Sequence, residues 1–412
     1  MNNDLSFIDY APERYDEQLC ESVARAKRIL SDFLPSSVTV EVHDSPPKGY
    51  RNRLGLGVYD IRSRDAYRKG NVSEKDPRLV DGLTYAYWDS GRGGDIVPIA
   101  EFGIAAQPIS DAMPRVLRFV APRDELRRGL RCVKFHTNMS GDELTVALIY
   151  GPQRNDCLGE AWERNALALQ HHVEAAFKQD LSASVFGRKK GSLVVPEGCV
   201  NFVTETLRLA NGDAVKLRQP DDIFCNPNGV IGLKTVNWLL SCADDMREKL
   251  GRPNDQGVEL LELFCGGGNH TLALSKIFDR VVAVEINGRL VKACRENLER
   301  NRITNVRVVQ ADCKRYCRTR SARNHPGRVV LVDPPRCGLD DEKLQELVAS
   351  FDHILWISCN PEALVKDLER VFAHSPHLCI TRFAFFDHFP YTGHIEVGVY
   401  LSRRTGDSII TF

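Results

Sequence analysis

A cysteine at the end of an apolar segment is the feature of this sequence that most directly suggests chemistry. The segment HILWIS ends at Ser358, Cys359 follows it, and Asn360-Pro361 prevents a strand from continuing. Parallel α/β sheets keep their active sites at the carboxyl ends of their strands. A structural cysteine can occupy any position along a strand, so the place of Cys359 favours a nucleophile.

Three other predicted strand ends carry residue types that can bind an adenosine. The motif LFCGGGNHT follows one strand and opens a helix, and Gly266 and Gly268 allow a ligand to approach the backbone closely. Glu285 ends the next strand, where a carboxylate can accept from both ribose hydroxyls. Asp312 ends the third strand, where it can accept from an adenine amino group. A glycine turn alone is equally consistent with a tight strand–helix connection.

The glycine turn lacks the full dinucleotide-binding pattern, because Thr271 stands where G-x-G-x-x-G has its third glycine. This departure favours S-adenosylmethionine over a dinucleotide as the cofactor. The predicted cofactor-binding residues from the turn and the strand ends are Phe264, Gly266, Gly268, Asn269, Glu285, Asp312 and Asp333.

A fourth strand end, VDPPRCGLD, lies where a methyl acceptor would bind. It supplies Asp333 and the rigid pair Pro334-Pro335. Amino-group methyltransferases carry an aromatic residue after Asp-Pro-Pro, and here Arg336 takes that place. We therefore predict that the acceptor is not an exocyclic amine.

A cysteine nucleophile at this position is suited to a reaction in which a pyrimidine carbon accepts the methyl group. Addition of the Cys359 thiolate to C6 makes C5 enolate-like and able to accept a methyl group, and this is covalent catalysis. A base must then remove the C5 proton so that the cysteine can leave. Glu396 is the candidate base, and Asp333 completes the predicted catalytic set. We assign no catalytic role to His388 or His394.

The elements that must position these residues alternate regularly from about Val258 onward. Alternating strands and helices predict a parallel sheet with helices on both faces, and two consecutive strands at the end predict an antiparallel pair. The predicted fold class is α/β, a Rossmann-like methyltransferase domain with a mostly parallel seven-stranded sheet. The less regular first part predicts a preceding α+β RNA-binding domain, which divides the chain into residues 1–221 and 222–412.

Composition narrows the class of protein. The 412 residues contain 13 cysteines without a CxxC pair, which argues against a disulfide framework, a zinc ribbon or an iron–sulfur cluster. Reduced thiols indicate a cytoplasmic protein, and no apolar run approaches the roughly 20 residues that span a bilayer. The formal net charge is zero, so an RNA-binding surface must be a local patch.

Basic stretches supply candidates for that patch. They lie between Arg115 and Lys134, within residues 186–191, and between Lys314 and Arg328, although a charge run is more often a solvated face. The segment YRNR pairs an aromatic residue with two arginines, residue types on which unstacked RNA bases can stack, so it is a candidate loop contact. The predicted RNA-binding residues are Tyr50, Arg51, Arg53 and Arg336.

Four motifs together resemble the RNA uracil-5-methyltransferase family: LELFCGGGNHTLAL, VDPPRCGLD, ISCNPEAL and FDHFPYTGHIEVGVYL. Within the family they are most similar to the tRNA branch, which makes 5-methyluridine at T-loop position 54. The resemblance implies that Cys359 is the nucleophile and Glu396 the base. It also implies that the Gly266 turn and Glu285 hold S-adenosylmethionine and that Asp333 lies beside the target base.

The chain departs from the family pattern in two places and agrees with the tRNA branch in a third. The tRNA branch has Gln-Pro-Asn where this chain has Asn226-Pro227-Asn228. The resemblance therefore implies that Asn226 contacts the cofactor, with a side chain that is shorter than the family glutamine. Cys337 replaces the usual serine. The cysteine cluster of the ribosomal RNA relatives is missing, so we expect neither a metal nor an iron–sulfur cluster.

Three functional hypotheses remain open. The first is methylation of the tRNA T-arm, and the second is the same chemistry on ribosomal or transfer-messenger RNA. The third is a tRNA-folding role that needs no catalysis, which would leave Cys359 and Glu396 without a purpose. We expect a monomer without membrane contact.

Overall fold

The computed structural model describes residues 10–62, 72–89, 95–151, 158–177, 181–250, 257–323, 325 and 328–403. Its helices are α1 (Tyr15–Ile29), α2 (Gln107–Val120), α3 (Asp124–Arg127), α4 (Glu160–Glu174), α5 (Gly229–Leu250), α6 (Asn269–Leu274), α7 (Gly288–Arg300), α8 (Cys313–Tyr316), α9 (Arg320–Arg323), α10 (Glu342–Ala349) and α11 (Pro361–His374).

The strands of the same residues form three sheets. They are β1 (Val40–His43), β2 (Arg53–Asp60), β3 (Leu83–Asp89), β4 (Asp95–Ile99), β5 (Leu130–Thr137), β6 (Glu143–Tyr150), β7 (Ser182–Lys189), β8 (Ser192–Val194), β9 (Phe202–Arg208), β10 (Ala214–Pro220), β11 (Glu259–Leu263), β12 (Arg280–Glu285), β13 (Val306–Gln310), β14 (Val329–Val332), β15 (His353–Ser358), β16 (Leu378–Phe386) and β17 (Glu396–Arg403).

The C-terminal sheet has the Rossmann-like organisation that the sequence predicts. Its strand order is β1-β16-β17-β15-β14-β11-β12-β13. Strands β11 to β15 are parallel to their neighbours in this set, whereas β17 is antiparallel to both β15 and β16. The parallel strands are apolar because helices cover both faces. Their carboxyl ends meet at one edge, which brings the predicted site residues together.

The sheet has eight strands rather than the predicted seven. The additional strand β1 comes from the N-terminal part and pairs in parallel with β16, with Val40 opposite Phe383. It covers an edge of β16 that would otherwise present unpaired backbone groups. The final antiparallel pair therefore forms as predicted but does not close the sheet.

Helix α1 also packs against the C-terminal sheet. Ala26 and Leu30 are fully buried and belong to the same apolar core as Trp356 and Phe383. Residues 15–43 thus build on the C-terminal sheet although they precede the predicted boundary at residue 221. The division of the chain into two domains, residues 1–221 and 222–412, remains a prediction.

The remaining N-terminal residues form the α+β part. Their seven-stranded sheet has the order β4-β3-β2-β5-β6-β7-β8, and its apolar core includes residues of α2 and α4. A separate hairpin of β9 and β10 leads into α5. Among the residues that the structure describes, no helix combines the length and apolar character needed to cross a membrane.

Glu262 in β11 makes the stability of the fold depend on pH. Burial raises the pKa of this carboxyl to about 7, with Asp333 adding to the effect and His270 opposing it. Between pH 4.5 and 7 the unfolded chain releases this proton while the folded chain keeps it, so folding stability falls as pH rises.

We expect Glu262→Gln to increase the free energy of unfolding of the cofactor-free protein by roughly 2–3 kcal/mol at pH 8 and by little at pH 5. Urea unfolding of both proteins at the two pH values measures the difference. An equal effect at both pH values would show that Glu262 is not a buried titrating group.

Candidate active site

The predicted nucleophile lies where the strand pattern indicates. Cys359 follows β15 directly, and the Asn360-Pro361 pair starts α11. The Asn360 side chain donates to the carbonyl of Arg336 over 2.8 Å, which ties the cysteine loop to the loop after β14. Cys359 is half-buried and lines a cleft of about 230 Å³ together with Arg25, Arg336 and His394.

Glu396 and Asp333 act electrostatically on this thiol, so the three predicted catalytic residues come together. Burial raises the pKa of Cys359 to about 11, with the charges of Glu396 and Asp333 adding to the effect and Arg336 opposing it. Burial and Asp333 likewise raise the pKa of Glu396 well above its usual range. Cys359 is therefore protonated in the free protein at neutral pH, and the site favours the protonated form of Glu396 more than water does.

Asp333 has a partner that the sequence did not indicate. His270 Nε2 in α6 lies 3.4 Å from Asp333 Oδ2. The pairing with Asp333 raises the pKa of His270, although burial, the largest effect, acts in the opposite direction. This pair joins α6 to the segment that follows β14.

The glycine turn after β11 has the shape of a ligand cradle. Gly266 has a φ of 57° and faces open space, since a Cβ placed on it would meet no atom within 4 Å. Glu285 braces the turn by accepting from Gly266 N over 3.1 Å and from Asn287 N over 2.7 Å. Gly268 is required by packing, because a Cβ there would lie 2.9 Å from the sulfur of Cys294.

The other predicted cofactor residues differ in the contacts that their side chains make. Phe264 and Asn269 flank the glycines, and Phe264 has a φ of 63°, which is unusual for a residue with a side chain. Asp312 follows β13 and accepts from Lys314 N over 2.9 Å, as the N-cap of α8. Asn226 instead directs its side-chain nitrogen to His388 Nδ1 over 2.7 Å.

Two of the predicted RNA contacts are engaged inside the protein. Tyr50 is 2% exposed and its hydroxyl donates to the Pro390 carbonyl over 3.1 Å, so the prediction that it stacks on RNA is wrong. Arg53 donates to the carbonyls of Asp221 and Ile223, which fixes the segment before α5. Arg51 is half-buried, and its RNA contact stays a prediction.

Arg336 is the predicted RNA contact that lies at the site. It is exposed, lines the Cys359 cleft, and places Nη2 3.2 Å from His394 Nδ1. The basic stretch from Arg115 to Lys134 loses one member, because Arg127 is 4% exposed and pairs with Asp60.

Four residues to which the sequence reasoning gave no role have positions that suggest one. Arg25 of α1 reaches the cleft and donates to the Gly393 carbonyl over 3.2 Å. His394 contacts Arg336, and His388 Nε2 lies 3.3 Å from Glu396 Oε1. Phe224 is 79% exposed just before Asn226. Exposure of an aromatic side chain is invisible in a local pattern, and the other contacts join distant segments.

The family of the chain is decided by comparison with known proteins. The model of the tRNA (uracil-5-)-methyltransferase family matches residues 14–404. The chain belongs to this family. The resemblance seen in the motifs is therefore confirmed, as is the assignment to the methyltransferases.

Full-length relatives give the same result. A Vibrio vulnificus tRNA/tmRNA (uracil-C(5))-methyltransferase is 30% identical, with 97% of this chain and 100% of the relative covered. A Pseudomonas entomophila protein of the same name is 32% identical, with 96% and 99% covered. The structure describes Cys359, Glu285 and Glu396, the three residues to which the family motifs give the main roles.

A solved structure supports the fold. The tRNA (uracil-54, C5)-methyltransferase of Pyrococcus abyssi, in complex with S-adenosyl-L-homocysteine, superposes with a TM-score of 0.65. The alignment covers 94% of this chain and 83% of that chain at 20% sequence identity. The Rossmann-like methyltransferase fold predicted from the sequence is confirmed.

Proposed function

We propose that this family member uses S-adenosylmethionine to methylate uridine C5 in tRNA, at position 54 of the T-loop, through a covalent Cys359 adduct. The observation that carries the proposal is the half-buried Cys359 in a cleft, under the electrostatic influence of Glu396 and Asp333. Those two carboxyl groups and a thiol at the ends of neighbouring strands provide a nucleophile and a base for a pyrimidine ring.

The residues around the glycine turn fit S-adenosylmethionine. Gly266 leaves its surroundings open, and Glu285 and Asp312 supply carboxylates at the next two strand ends. When bound, the cofactor supplies an electrophilic methyl group. The turn lies at the same sheet edge as Cys359, so the bound cofactor and the target base would meet above β11 and β14.

The chemical steps use Cys359 as the nucleophile and Glu396 as the base. The Cys359 thiolate forms a bond to C6, and the π electrons of the C5–C6 bond move toward O4. The enolate carbon C5 would then bond to the methyl carbon of a bound cofactor while the methyl–sulfur bond breaks and its electron pair stays on the sulfur, which leaves as the neutral thioether S-adenosylhomocysteine. The Glu396 carboxylate removes the C5 proton, the C5–C6 double bond re-forms, and the Cys359 thiolate leaves. Asp333 and Arg336 lie beside the base and position it.

The target uridine must leave its stack to reach a half-buried thiol. Arg336, Arg25 and His394 line the opening above Cys359 and would meet the RNA there. The exposed Phe224 is a second RNA contact, because aromatic rings stack on unpaired loop bases. The basic stretches at 115–134 (without Arg127), 186–191 and 314–328 remain candidates for phosphate contacts.

Transfer-messenger RNA is a second substrate candidate, because the curated relatives carry it in their names. A monomeric state and a cytoplasmic location stay predictions. Nucleoside mass spectrometry of tRNA, transfer-messenger RNA and ribosomal RNA from cells with and without the protein tests the substrate. Loss of 5-methyluridine from ribosomal RNA alone would contradict the tRNA assignment.

The Glu285 carboxylate is expected to contribute strongly to cofactor binding. Glu285→Ala removes charge-assisted hydrogen bonds and should weaken S-adenosylmethionine binding by roughly 1.5–3 kcal/mol. Titration calorimetry measures the change. Glu296→Ala on α7 removes a carboxylate from the protein surface and serves as the matched control. Unchanged affinity in Glu285→Ala would remove the cofactor assignment of this strand end.

The raised pKa of Cys359 gives the first chemical step a pH dependence. Only the thiolate attacks C6, and its fraction rises roughly tenfold per pH unit below the pKa. The rate of adduct formation with 5-fluorouridine RNA should therefore rise steeply from pH 7 to pH 9. The RNA affinity of the Cys359→Ala variant, measured over the same pH range, corrects this rate for any change in RNA binding. A flat profile would show that the thiolate is already formed at pH 7.

A further inference from the structure

A buried histidine beside the proposed base has no part in the mechanism described so far. His388 follows β16, is 1% exposed, and lies against α5 and the start of β17. Its Nε2 is 3.3 Å from Glu396 Oε1 and 3.2 Å from Thr235 Oγ1. Burial, with a contribution from His270, lowers the pKa of His388 to about 3, so its ring is neutral.

Asn226 fixes which ring nitrogen of His388 carries the proton. The side-chain oxygen of Asn226 accepts from the backbone N–H of Asn228 over 3.0 Å, so the amide nitrogen faces His388. This nitrogen lies 2.7 Å from Nδ1. An amide nitrogen only donates, so Nδ1 accepts and the ring proton lies on Nε2.

Thr235 leaves that proton directed toward Glu396. The Thr235 hydroxyl donates to the Ile231 carbonyl over 2.9 Å, so it can only accept from His388. The Nε2–H group therefore faces two acceptors, the threonine oxygen and Glu396 Oε1. A neutral donor at this position favours the ionised form of the carboxyl, which burial and Asp333 disfavour.

We propose that His388 and Asn226 are positioning residues for Glu396, forming a directed hydrogen-bond chain that holds its carboxylate ready to accept the C5 proton. The proposal rests on the proposed role of Glu396 as base. It assigns Asn226 to the base rather than to the cofactor. The shorter side chain in place of the family glutamine then has a purpose, because it places its amide nitrogen on His388 Nδ1.

Three substitutions in the full-length protein test the chain. His388→Gln keeps an acceptor for Asn226 and a donor for Glu396. His388→Leu removes both. Asn226→Asp reverses the chain, because a carboxylate accepts from Nδ1–H and a neutral His388 ring then has no proton on Nε2. Glu396→Gln and the unaltered protein are the references.

The experiment uses T-arm RNA and S-adenosylmethionine and separates the steps of the reaction. Adduct formation is measured with 5-fluorouridine RNA, and elimination is measured as release of 5-methyluridine RNA from the methylated adduct over pH 6–9. Titration calorimetry gives the cofactor affinity of each variant. Among the described residues, Asp333 and Cys359 interact electrostatically with Glu396, and His270 pairs with Asp333; all three are unchanged in these variants.

We expect His388→Leu and Asn226→Asp to slow elimination roughly 10- to 100-fold, the range for lost orienting partners, with adduct formation close to that of the unaltered protein. Their elimination should also need a higher pH, because the carboxyl keeps its proton longer. His388→Gln should restore both the rate and the pH profile. If His388→Leu fails to fold, Asn226→Asp and His388→Gln carry the same comparison.

Normal elimination and an unchanged pH profile in Asn226→Asp would overturn the proposal. So would a variant whose only defect is weaker cofactor binding, since this would assign Asn226 to the cofactor. Other results would show that the proposed role of Glu396 as the base is wrong. If Glu396→Gln eliminates normally, or if the unaltered protein forms no adduct, the proposed role of Glu396 fails and the chain fails with it.

Discussion

Protein carrying Cys359→Ala should bind T-arm RNA and transfer no methyl group. Without the thiolate, C5 of uracil stays a poor nucleophile, so product formation should fall to the background rate while RNA affinity stays close to that of the unaltered protein. Incorporation of a labelled methyl group and a filter-binding titration measure the two quantities on the same preparation.

Cys337→Ala is the matched control for this result. Cys337 is exposed and lies next to Arg336, within reach of the same region of the surface, but it follows β14 by several residues. We expect it to retain activity. If Cys337→Ala loses methyl transfer and Cys359→Ala keeps it, the nucleophile has been assigned to the wrong cysteine. A tRNA-folding role without chemistry predicts that neither substitution changes RNA function.

Glu396→Gln should stop the reaction one step later. The amide cannot accept the C5 proton, so methyl transfer can occur and elimination cannot. Turnover should fall roughly 10²- to 10⁴-fold, the usual contribution of a general base, and a methylated protein–RNA adduct should accumulate. A denaturing gel with radiolabelled methyl groups detects it, because a covalent adduct survives denaturation.

The comparison with Cys359→Ala makes this result specific. Both variants lose turnover, but only Glu396→Gln should carry labelled RNA on the protein. Absence of an adduct together with full loss of activity would indicate that Glu396 is needed before methyl transfer. Normal turnover in Glu396→Gln would contradict its role as the base.

The regular part of the catalytic domain could be predicted well from the sequence. Alternation of short apolar segments with amphipathic ones from about Val258 onward predicts parallel strands connected by helices, and β11 to β15 form that parallel set. The positions of the candidate residues at strand ends were predictable for the same reason. Once the strands are parallel, Gly266, Glu285 and Cys359 must lie at one edge.

The partners of isolated segments could not be predicted in the same way. The pattern of residues 40–43 is compatible with a strand, but nothing in it indicates pairing with β16, more than 300 positions later. Tyr50 has the composition of an RNA contact and becomes buried because residues from the C-terminal loop pack over it. His388 has neighbours from α5 and from the segment before it, so its role depends on tertiary structure.

Covalent trapping tests the central claim most directly. The unaltered protein is incubated with S-adenosylmethionine and T-arm RNA that carries 5-fluorouridine at position 54, and the denatured complex is digested and mapped by mass spectrometry. Fluorine cannot leave as a proton does, so the account predicts a methylated nucleotide attached to the peptide that contains Cys359. Attachment to Cys337, or the absence of any covalent complex under conditions in which unsubstituted RNA is methylated, would contradict it.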